Sequence, residues 1–137
     1  MDYRLLQFDV FEDERGKLIA LEGNRAIPFE IKRVFYMYDT GAGIERGRHA
    51  NMISKQVMVC LSGTCSVVID DGKIKRVVAL DSPNEGLYIG PKLWREVKDF
   101  SKGCVLMVFT DTYYTEHEYV TDYAKFRIEE KTQEDNV

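Results

Sequence analysis

The stretch Gly43-Ile-Glu-Arg-Gly-Arg-His49-Ala-Asn51, followed by Gln56 and Gly63, decides how the rest of this chain is interpreted. Its spacing matches the metal-site pattern G-x5-H-x-H-x4-E-x6-G, in which two histidines and a glutamate are ligands. Only His49 is kept here, because Asn51 and Gln56 occupy the other ligand positions. Zinc, iron and manganese sites need several histidine, cysteine or carboxylate ligands. The pattern therefore predicts no metal, and an imidazole that works as an acid or base.

The length and composition of the chain predict one soluble globular domain over residues 1–137. A net charge of −4 argues against electrostatic binding of nucleic acid over a broad surface. The N-terminus lacks the apolar core of a signal peptide, and no apolar run approaches the length that crosses a bilayer. These features predict a cytoplasmic protein with neither nucleic acid nor membrane as a partner.

Three cysteines, Cys60, Cys65 and Cys104, lie in apolar, strand-like runs. Their spacing is not that of a metal site, and their number is odd. We therefore expect reduced, buried thiols, which agrees with a cytoplasmic location.

Most of the chain has the pattern of short β-strands separated by turns. Asp70-Asp-Gly72 is a strong hairpin signal, because glycine tolerates positive φ and aspartate caps the turn locally. Many short strands with regular turns predict an all-β fold, an antiparallel β-sandwich or barrel. The predicted strands are Tyr3–Val10, Lys17–Leu21, Lys32–Tyr38, Gln56–Leu61, Thr64–Ile69, Lys73–Leu80, Gly86–Ile89, Trp94–Val97 and Cys104–Thr110.

The C-terminal part differs from the rest. Tyr119, Tyr123, Phe126 and Glu130 recur at spacings of 4, 3 and 4 residues, which is the period of a helix face. We expect one amphipathic helix from about Glu116 to Lys131. The polar residues 132–137 are predicted to form a disordered tail.

His49 and Asn51 are two residues apart on a predicted strand, so their side chains point to the same face. Arg46, Arg48 and, upstream, Arg33 surround them with positive charge, which favours an anion-binding pocket mouth. For Arg48 alone we favour a solvated strand edge.

A second cluster contains Trp94 and Arg95. If Arg95 faces inward, it needs an anionic or carbonyl partner, since an unpaired buried charge is costly. Trp94 suits either core packing or the border of a ligand pocket. Tyr36 is a further pocket candidate, although it lies on the strand face opposite Arg33, and the sequence leaves that conflict open.

Taken together, these stretches resemble the cupin-type sugar 3,4-ketoisomerases that act on dTDP-4-keto-6-deoxyglucose. The resemblance runs from about residue 5 to residue 128. It is carried by Ile31-Lys-Arg-Val, Arg46-Gly-x-His49-Ala, Gln56-Val-x-Val-Cys-Leu-x-Gly63, Asp70-Asp-Gly72, Leu80-Asp-Ser-Pro83, Gly86-Leu-Tyr-x-Gly-Pro91 and Trp94-x-Glu96.

The resemblance implies a cupin jelly roll with a C-terminal helix, a homodimer with exchanged strands, and no cofactor. It implies a reaction that moves a ketone from C4 to C3 of the hexose, in the biosynthesis of 3-amino-3,6-dideoxy sugars. The base is implied to be His49, which removes the C3 proton before a proton returns at C4. Asn51 and Arg95 are expected to donate hydrogen bonds to the enediolate oxygens.

The remaining site residues are expected to bind the substrate. Arg33 and Arg46 suit the diphosphate, because a guanidinium binds phosphate in a bidentate manner. Arg15 and Arg95 lie where the stereochemistry at C4 is read, and Tyr36 and Trp94 are expected at the pocket border. The sequence leaves the galacto and gluco products both open.

This chain departs from the family at Asn51, since relatives usually read His-Ala-His. An amide hydrogen-bonds but cannot shuttle a proton. Two alternatives therefore stay open: a dTDP-keto-sugar 3,5-epimerase, and a non-catalytic cupin that binds a sugar nucleotide. A metal-dependent oxygenase is a more distant one.

Overall fold

A computed structural model describes residues 1–128, and the strands fall where the turn signals delimit them. Within this range the chain forms twelve strands, namely β1 (Tyr3–Gln7), β2 (Phe11–Asp13), β3 (Gly16–Leu18), β4 (Arg33–Met37), β5 (Arg46–Asn51), β6 (Gln56–Ser62), β7 (Cys65–Asp70), β8 (Lys75–Leu80), β9 (Glu85–Ile89), β10 (Leu93–Lys98), β11 (Val105–Thr110) and β12 (Tyr119–Val120). Nine of these strands agree with the predicted bounds to within a few residues, and β5 carries His49 and Asn51 as expected, whereas β2 and β12 were not predicted.

Two five-stranded antiparallel sheets face each other, in the orders β1-β9-β6-β11-β4 and β12-β5-β10-β7-β8. Their facing sides bury one apolar core, which includes Met58, Leu106, Ile69 and Val97. The predicted β-sandwich is therefore confirmed. A separate hairpin of β2 and β3 lies apart from both sheets.

Strand β6 shows why its sequence is almost continuously apolar. Met58 and Cys60 face the core between the sheets. Val57 and Val59 face the opposite way, into a second cluster that Ile27 and the segment around it cover. A strand buried on both faces needs apolar residues at every position.

The outer face of the second sheet is covered by the C-terminal segment. Ala50 of β5 and Trp94 of β10 pack there against Phe126, and all three are buried. Trp94 and Phe126 have ring centroids 5.8 Å apart. Since successive strand residues alternate in direction, the residues that flank Ala50 and Trp94 point to the interior of the sandwich.

The predicted C-terminal helix is only partly correct. Glu116–Glu118 form a single 3-10 turn, and Tyr119–Val120 pair with β5 as strand β12. The α-helix α1 begins at residue 123 and continues to residue 128, the last residue described. The remainder of the predicted helix and the predicted disordered tail at 132–137 lie outside the described residues. Within residues 1–128, no helix combines the length and apolarity needed to cross a membrane.

Candidate active site

A β-bulge sets the direction of the His49 side chain. Arg95 pairs with His49 and Glu96 pairs with Gly47, so Arg48 is the extra residue on β5. Gly47 and Arg48 both have positive φ, at 80° and 57°. Glycine reaches this region without strain, and a Cβ on Gly47 would approach the Arg95 carbonyl oxygen to 3.1 Å. The bulge re-aims the strand, as bulges next to functional sites do.

Asn51 is held at the inner face by a buried carboxylate. Its Nδ2 atom donates a hydrogen bond to Glu118 Oε1 at 2.7 Å. Glu118 also accepts hydrogen bonds from the Ser54 backbone N–H, at 3.1 Å, and from the Ser54 hydroxyl. The Oδ1 atom of Asn51 is buried and has no partner among the described residues. Because Glu118 fixes the amide nitrogen, the group that Asn51 presents to the interior is an acceptor.

Arg95 is 1% exposed and lies between the two sheets. Its Nη1 donates to Gln56 Oε1 at 2.8 Å, and its Nη2 and Nε donate to the Leu93 carbonyl at 3.0 and 3.3 Å. Burial lowers the pKa of Arg95 to about 10, while Glu118 and Tyr119 oppose this shift. The guanidinium is therefore still charged near neutral pH, with the carbonyl partners that its burial requires.

These contacts show how the residues at the metal-site spacing are already engaged with one another. The side chain at the glutamate position, Gln56, already accepts a hydrogen bond from the buried Arg95. The amide of Asn51 is bound to Glu118, and the permanent charge of Arg95 would repel a cation placed beside it. The residues that this site brings together do not fit a divalent metal.

His49 is half-buried and has a lowered pKa. Burial is the largest cause, and the charge of Arg95 lowers the pKa further below its usual value of 6.5. The Gly47 backbone, the Asn51 side chain and the Glu118 carboxylate act in the opposite direction. The net effect keeps the imidazole neutral to a lower pH than in a free histidine, so it can accept a proton at neutral pH.

Aromatic rings connect His49 to Arg33. Tyr119 meets His49 edge to face with ring centroids 4.7 Å apart, and Tyr114 lies 5.9 Å from Tyr119. The guanidinium of Arg33 lies 5.5 Å from the ring centroids of both Tyr114 and Phe35. Its Nε and Nη2 atoms are buried without a hydrogen-bond partner among the described residues. Arg33 therefore offers two adjacent donors, the arrangement that binds a carboxylate or phosphate.

The structure places the other predicted cations at the rim of the sandwich. Arg46 is exposed at the start of β5, before the bulge, and Val97 is its pairing partner. Arg48 is exposed and bonded to Glu45. Arg48 therefore occupies the solvated strand edge that the sequence favoured, whereas Arg46 remains free to meet a ligand from solvent.

Three predicted substrate-binding residues lie elsewhere in this chain. Trp94 is 3% exposed on the outer face, where it packs on Phe126, because strand alternation points it away from Arg95. Tyr36 is 60% exposed on the outer face of β4, opposite Arg33. Arg15 lies on the β2–β3 hairpin, and its guanidinium is paired with Asp13. The described contacts link none of these three to His49, and Trp94 packs in the apolar cluster with Ala50 and Phe126.

The sequence reasoning missed Glu118 and Tyr119. Both fall in a segment that the 3.6-residue period assigns to a helix, and a helix there would have carried them away from β5. The signal that was available is weak: a two-residue strand after a 3-10 turn has no clear periodicity. Only the pairing of Tyr119 with Asn51 brings them into the site.

The fold and the site define a class before any comparison. The chain is a cupin-like protein: a two-sheet antiparallel sandwich that keeps the first histidine of the metal-site pattern and has Asn51 and Gln56 at the other two ligand positions. The profile of the FdtA family, described as "WxcM-like, C-terminal", matches residues 1–131. The chain belongs to this family, as the sequence resemblance predicted.

Individual relatives agree with this assignment. The chain is 46% identical over 127 residues to the TDP-4-oxo-6-deoxy-alpha-D-glucose-3,4-oxoisomerase of Aneurinibacillus thermoaerophilus, covering 93% of this chain and 91% of the relative. A 3,4-ketoisomerase crystal structure from Helicobacter canadensis superposes with a TM-score of 0.93 at 44% identity, covering 96% and 98% of the two chains.

A third relative was crystallised with a ligand. It is a single-residue variant of the QdtA 3,4-ketoisomerase from Thermoanaerobacterium thermosaccharolyticum, in complex with TDP-4-keto-6-deoxyglucose. Its TM-score is 0.93 at 36% identity, and 96% of each chain is covered. The relatives are thus sugar-nucleotide isomerases that share the fold over almost their full length.

The electrostatic role of Glu118 can be tested through the His49 pKa. In a Glu118→Gln variant we expect this pKa to fall further, because the carboxylate charge favours the imidazolium. Proton NMR titration of the imidazole resonance measures the shift. Glu116→Gln is the matched control, because Glu116 is exposed on the same 3-10 turn. An unchanged or raised His49 pKa in Glu118→Gln would contradict this account.

Proposed function

We propose that this chain isomerises dTDP-4-keto-6-deoxyglucose to the 3-keto-6-deoxyhexose. The observation that carries the proposal is the inward-facing, neutral His49 beside Arg95 and Asn51, in a chain 46% identical to a 3,4-oxoisomerase. The chemistry needs one group that takes a proton from carbon and returns one to the neighbouring carbon. An imidazole with a pKa below neutrality is suited to this work.

The reaction balances without a cofactor. Neutral His49 takes the proton from C3, and the electrons of that C–H bond form the C3–C4 double bond as the C4 ketone becomes an enediolate. The proton of the C3 hydroxyl then passes to the C4 oxygen, and protonated His49 gives a proton to C4, so that the C3 oxygen becomes the ketone and the C4 oxygen a hydroxyl. The buried charge of Arg95 stabilises the developing oxyanion, because a fixed charge in a low-dielectric site needs no reorganisation.

The structure refines the role proposed for Asn51. Its amide nitrogen is bound to Glu118, so its unpaired Oδ1 is the atom available to the sugar. This oxygen accepts a hydrogen bond from a hexose hydroxyl and does not donate to the enediolate. Donation falls to Arg95, and proton transfer falls to His49 or to a water bound between them.

Product analysis tests the reaction and the base together. We expect NMR of a reaction with dTDP-4-keto-6-deoxyglucose in deuterium oxide to show the ketone at C3 and deuterium at C4. The His49→Gln variant should lose about 100-fold to 10,000-fold in kcat, the usual contribution of a general base. His117→Gln is the matched control, since His117 is exposed.

Each other outcome of that experiment has a meaning. A ketone that stays at C4 with an inverted neighbouring centre would identify a 3,5-epimerase. Binding of TDP without any ketone migration would identify a non-catalytic cupin. Full turnover in His49→Gln would remove His49 from its role as base.

For the diphosphate we propose Arg33, with Arg46 at the rim. The support is the buried, unpaired Nε and Nη2 of Arg33 and the exposure of Arg46 next to the bulge. These two nitrogen atoms are already buried, and the guanidinium lies near the rings of Phe35 and Tyr114, so little further ordering is needed when Arg33 binds an anion.

An Arg33→Gln variant should therefore bind TDP roughly 10-fold to 100-fold more weakly, the worth of a charge-assisted hydrogen bond. Calorimetry with TDP measures the dissociation constant, and kinetics should show the loss mainly in KM. Arg76→Gln is the control, since Arg76 is exposed on β8. Equal TDP affinity of Arg33→Gln and the parent protein would refute the assignment.

We also propose that the protein is a homodimer, and that the β2–β3 hairpin carries Arg15 to the partner subunit. The support is the exposure of this hairpin, in which Phe11 and Leu18 are 62% and 61% exposed. Two large apolar side chains on a detached hairpin are a feature of an interface. The three free thiols agree with a reducing compartment, and the cytoplasmic location stays a prediction.

Light scattering tests the dimer. We expect a mass of twice the 15.9 kDa chain, and dissociation in a Phe11→Ser, Leu18→Ser double variant. The same substitution at Val77, which is 64% exposed on β8, is the matched control. A monomeric parent protein, or a double variant that dimerises as well as the parent, would argue against this interface.

A further inference from the structure

The three cysteines converge at a place that the proposed reaction does not use. Cys60 lies on β6, Cys65 begins β7, and Cys104 directly precedes β11. Their sulfur atoms all lie within 4.8 Å of one another, and the Cys60 and Cys104 sulfurs are 3.6 Å apart. All three residues are buried and all three are free thiols. Every cysteine of the chain is in this cluster, although the sequence separates them widely.

The cluster is separate from the His49 site. Gln56, which binds Arg95, begins β6, and Cys60 is four residues further along the same strand. At about 3.3 Å per strand residue, this places the thiols roughly 13 Å from Gln56, toward the opposite end of the sandwich. The interior therefore has a polar end and a sulfur-rich end.

The sulfur positions suit a bound metal ion. With metal–sulfur bonds of about 2.3 Å, ligand sulfurs are roughly 3.8 Å apart in a tetrahedral site and 4.0 Å apart in a trigonal one. The cluster spans this range, from 3.6 Å to a limit of 4.8 Å, so small side-chain rotations would complete it. Disulfide formation would instead need the 3.6 Å pair to close to about 2.0 Å and would leave Cys65 out.

The donor set selects the kind of ion. Among the described residues the group holds three sulfurs and no histidine or carboxylate. Structural zinc is almost always four-coordinate, whereas soft monovalent copper accepts an all-sulfur shell and needs no fourth ligand.

Two turns cover the cysteine cluster. Thr64 N–H donates to the Ser101 hydroxyl at 2.8 Å, and Ser101 N–H donates to the Thr64 carbonyl at 2.9 Å. The residues at these turns, Gly63 and Gly103 among them, are exposed. Only these two turns therefore separate the thiols from solvent. If the turns move apart, an ion can reach the thiols while both sheets stay folded.

We propose that Cys60, Cys65 and Cys104 form a trigonal thiolate site for copper(I). Each sulfur that coordinates releases its proton to solvent, and the oxidation state of the metal does not change. Binding ties β6, β7 and the start of β11 together, so the bound ion stabilises the sandwich at the end remote from His49.

The test uses the whole reduced protein and copper(I) supplied as its bicinchoninate complex under anaerobic conditions. We expect the protein to withdraw one equivalent of copper, X-ray absorption to show three sulfur neighbours, and the thermal midpoint to rise. Cys65→Ala should weaken copper binding about 100-fold or more, since even outer-shell changes cost 10-fold to 100-fold. Met58→Leu is the control, because it removes a different soft sulfur from the same core.

Three results would overturn the proposal: no copper withdrawn by the parent protein, equal copper affinity in Cys65→Ala, or a shell containing nitrogen. Preference for zinc(II) over copper(I) would also reject the trigonal assignment. Far-UV circular dichroism and TDP binding show whether Cys65→Ala is folded. If it is not, Cys65→Ser replaces it, because serine keeps the volume and removes the soft donor.

Discussion

A guanidinium that is 1% exposed places a permanent positive charge between the sheets, and the surrounding polar residues depend on it. Removing one partner of a buried charge costs about 3–5 kcal/mol, so Arg95 requires its contacts with Gln56 and the Leu93 carbonyl. The same charge lowers the pKa of His49 and disfavours a cation. One buried side chain thus makes the surrounding interior unfavourable for a cation and contributes to the lowered pKa of His49.

The second constraint is geometric. Alternate residues of a strand face the same side of a sheet, so the pairing register decides which of them point to the interior. The bulge at Gly47 and Arg48 shifts that register in β5. As a result Ala50 faces the C-terminal segment, while His49 and Asn51 face inward. The outer layer that contains Trp94 and Phe126 therefore packs against the side of β5 opposite His49 and Asn51.

The two ends of the interior differ in chemistry, because the residues along the strands change from polar to apolar and sulfur-containing. Strand β6 begins with Gln56 and continues through apolar residues to Cys60, so polarity falls along a single strand. At the polar end, Glu118 ties the C-terminal segment to Asn51 and Ser54 through buried hydrogen bonds. The C-terminal segment is consequently part of the site as well as part of the fold.

The amino-acid sequence by itself determined the family and most of the strand pattern, and it singled out His49, Asn51 and Arg95 as candidate site residues, because alternation, turn residues and motif spacing are local. It could not place Glu118 or Tyr119, since these reach the site through β12, a pairing between residues far apart in the chain. The direction of Trp94 and the meeting of the three cysteines were decided by tertiary structure for the same reason. Which face of a strand is inside, and what lies across from it, depends on the partner strand.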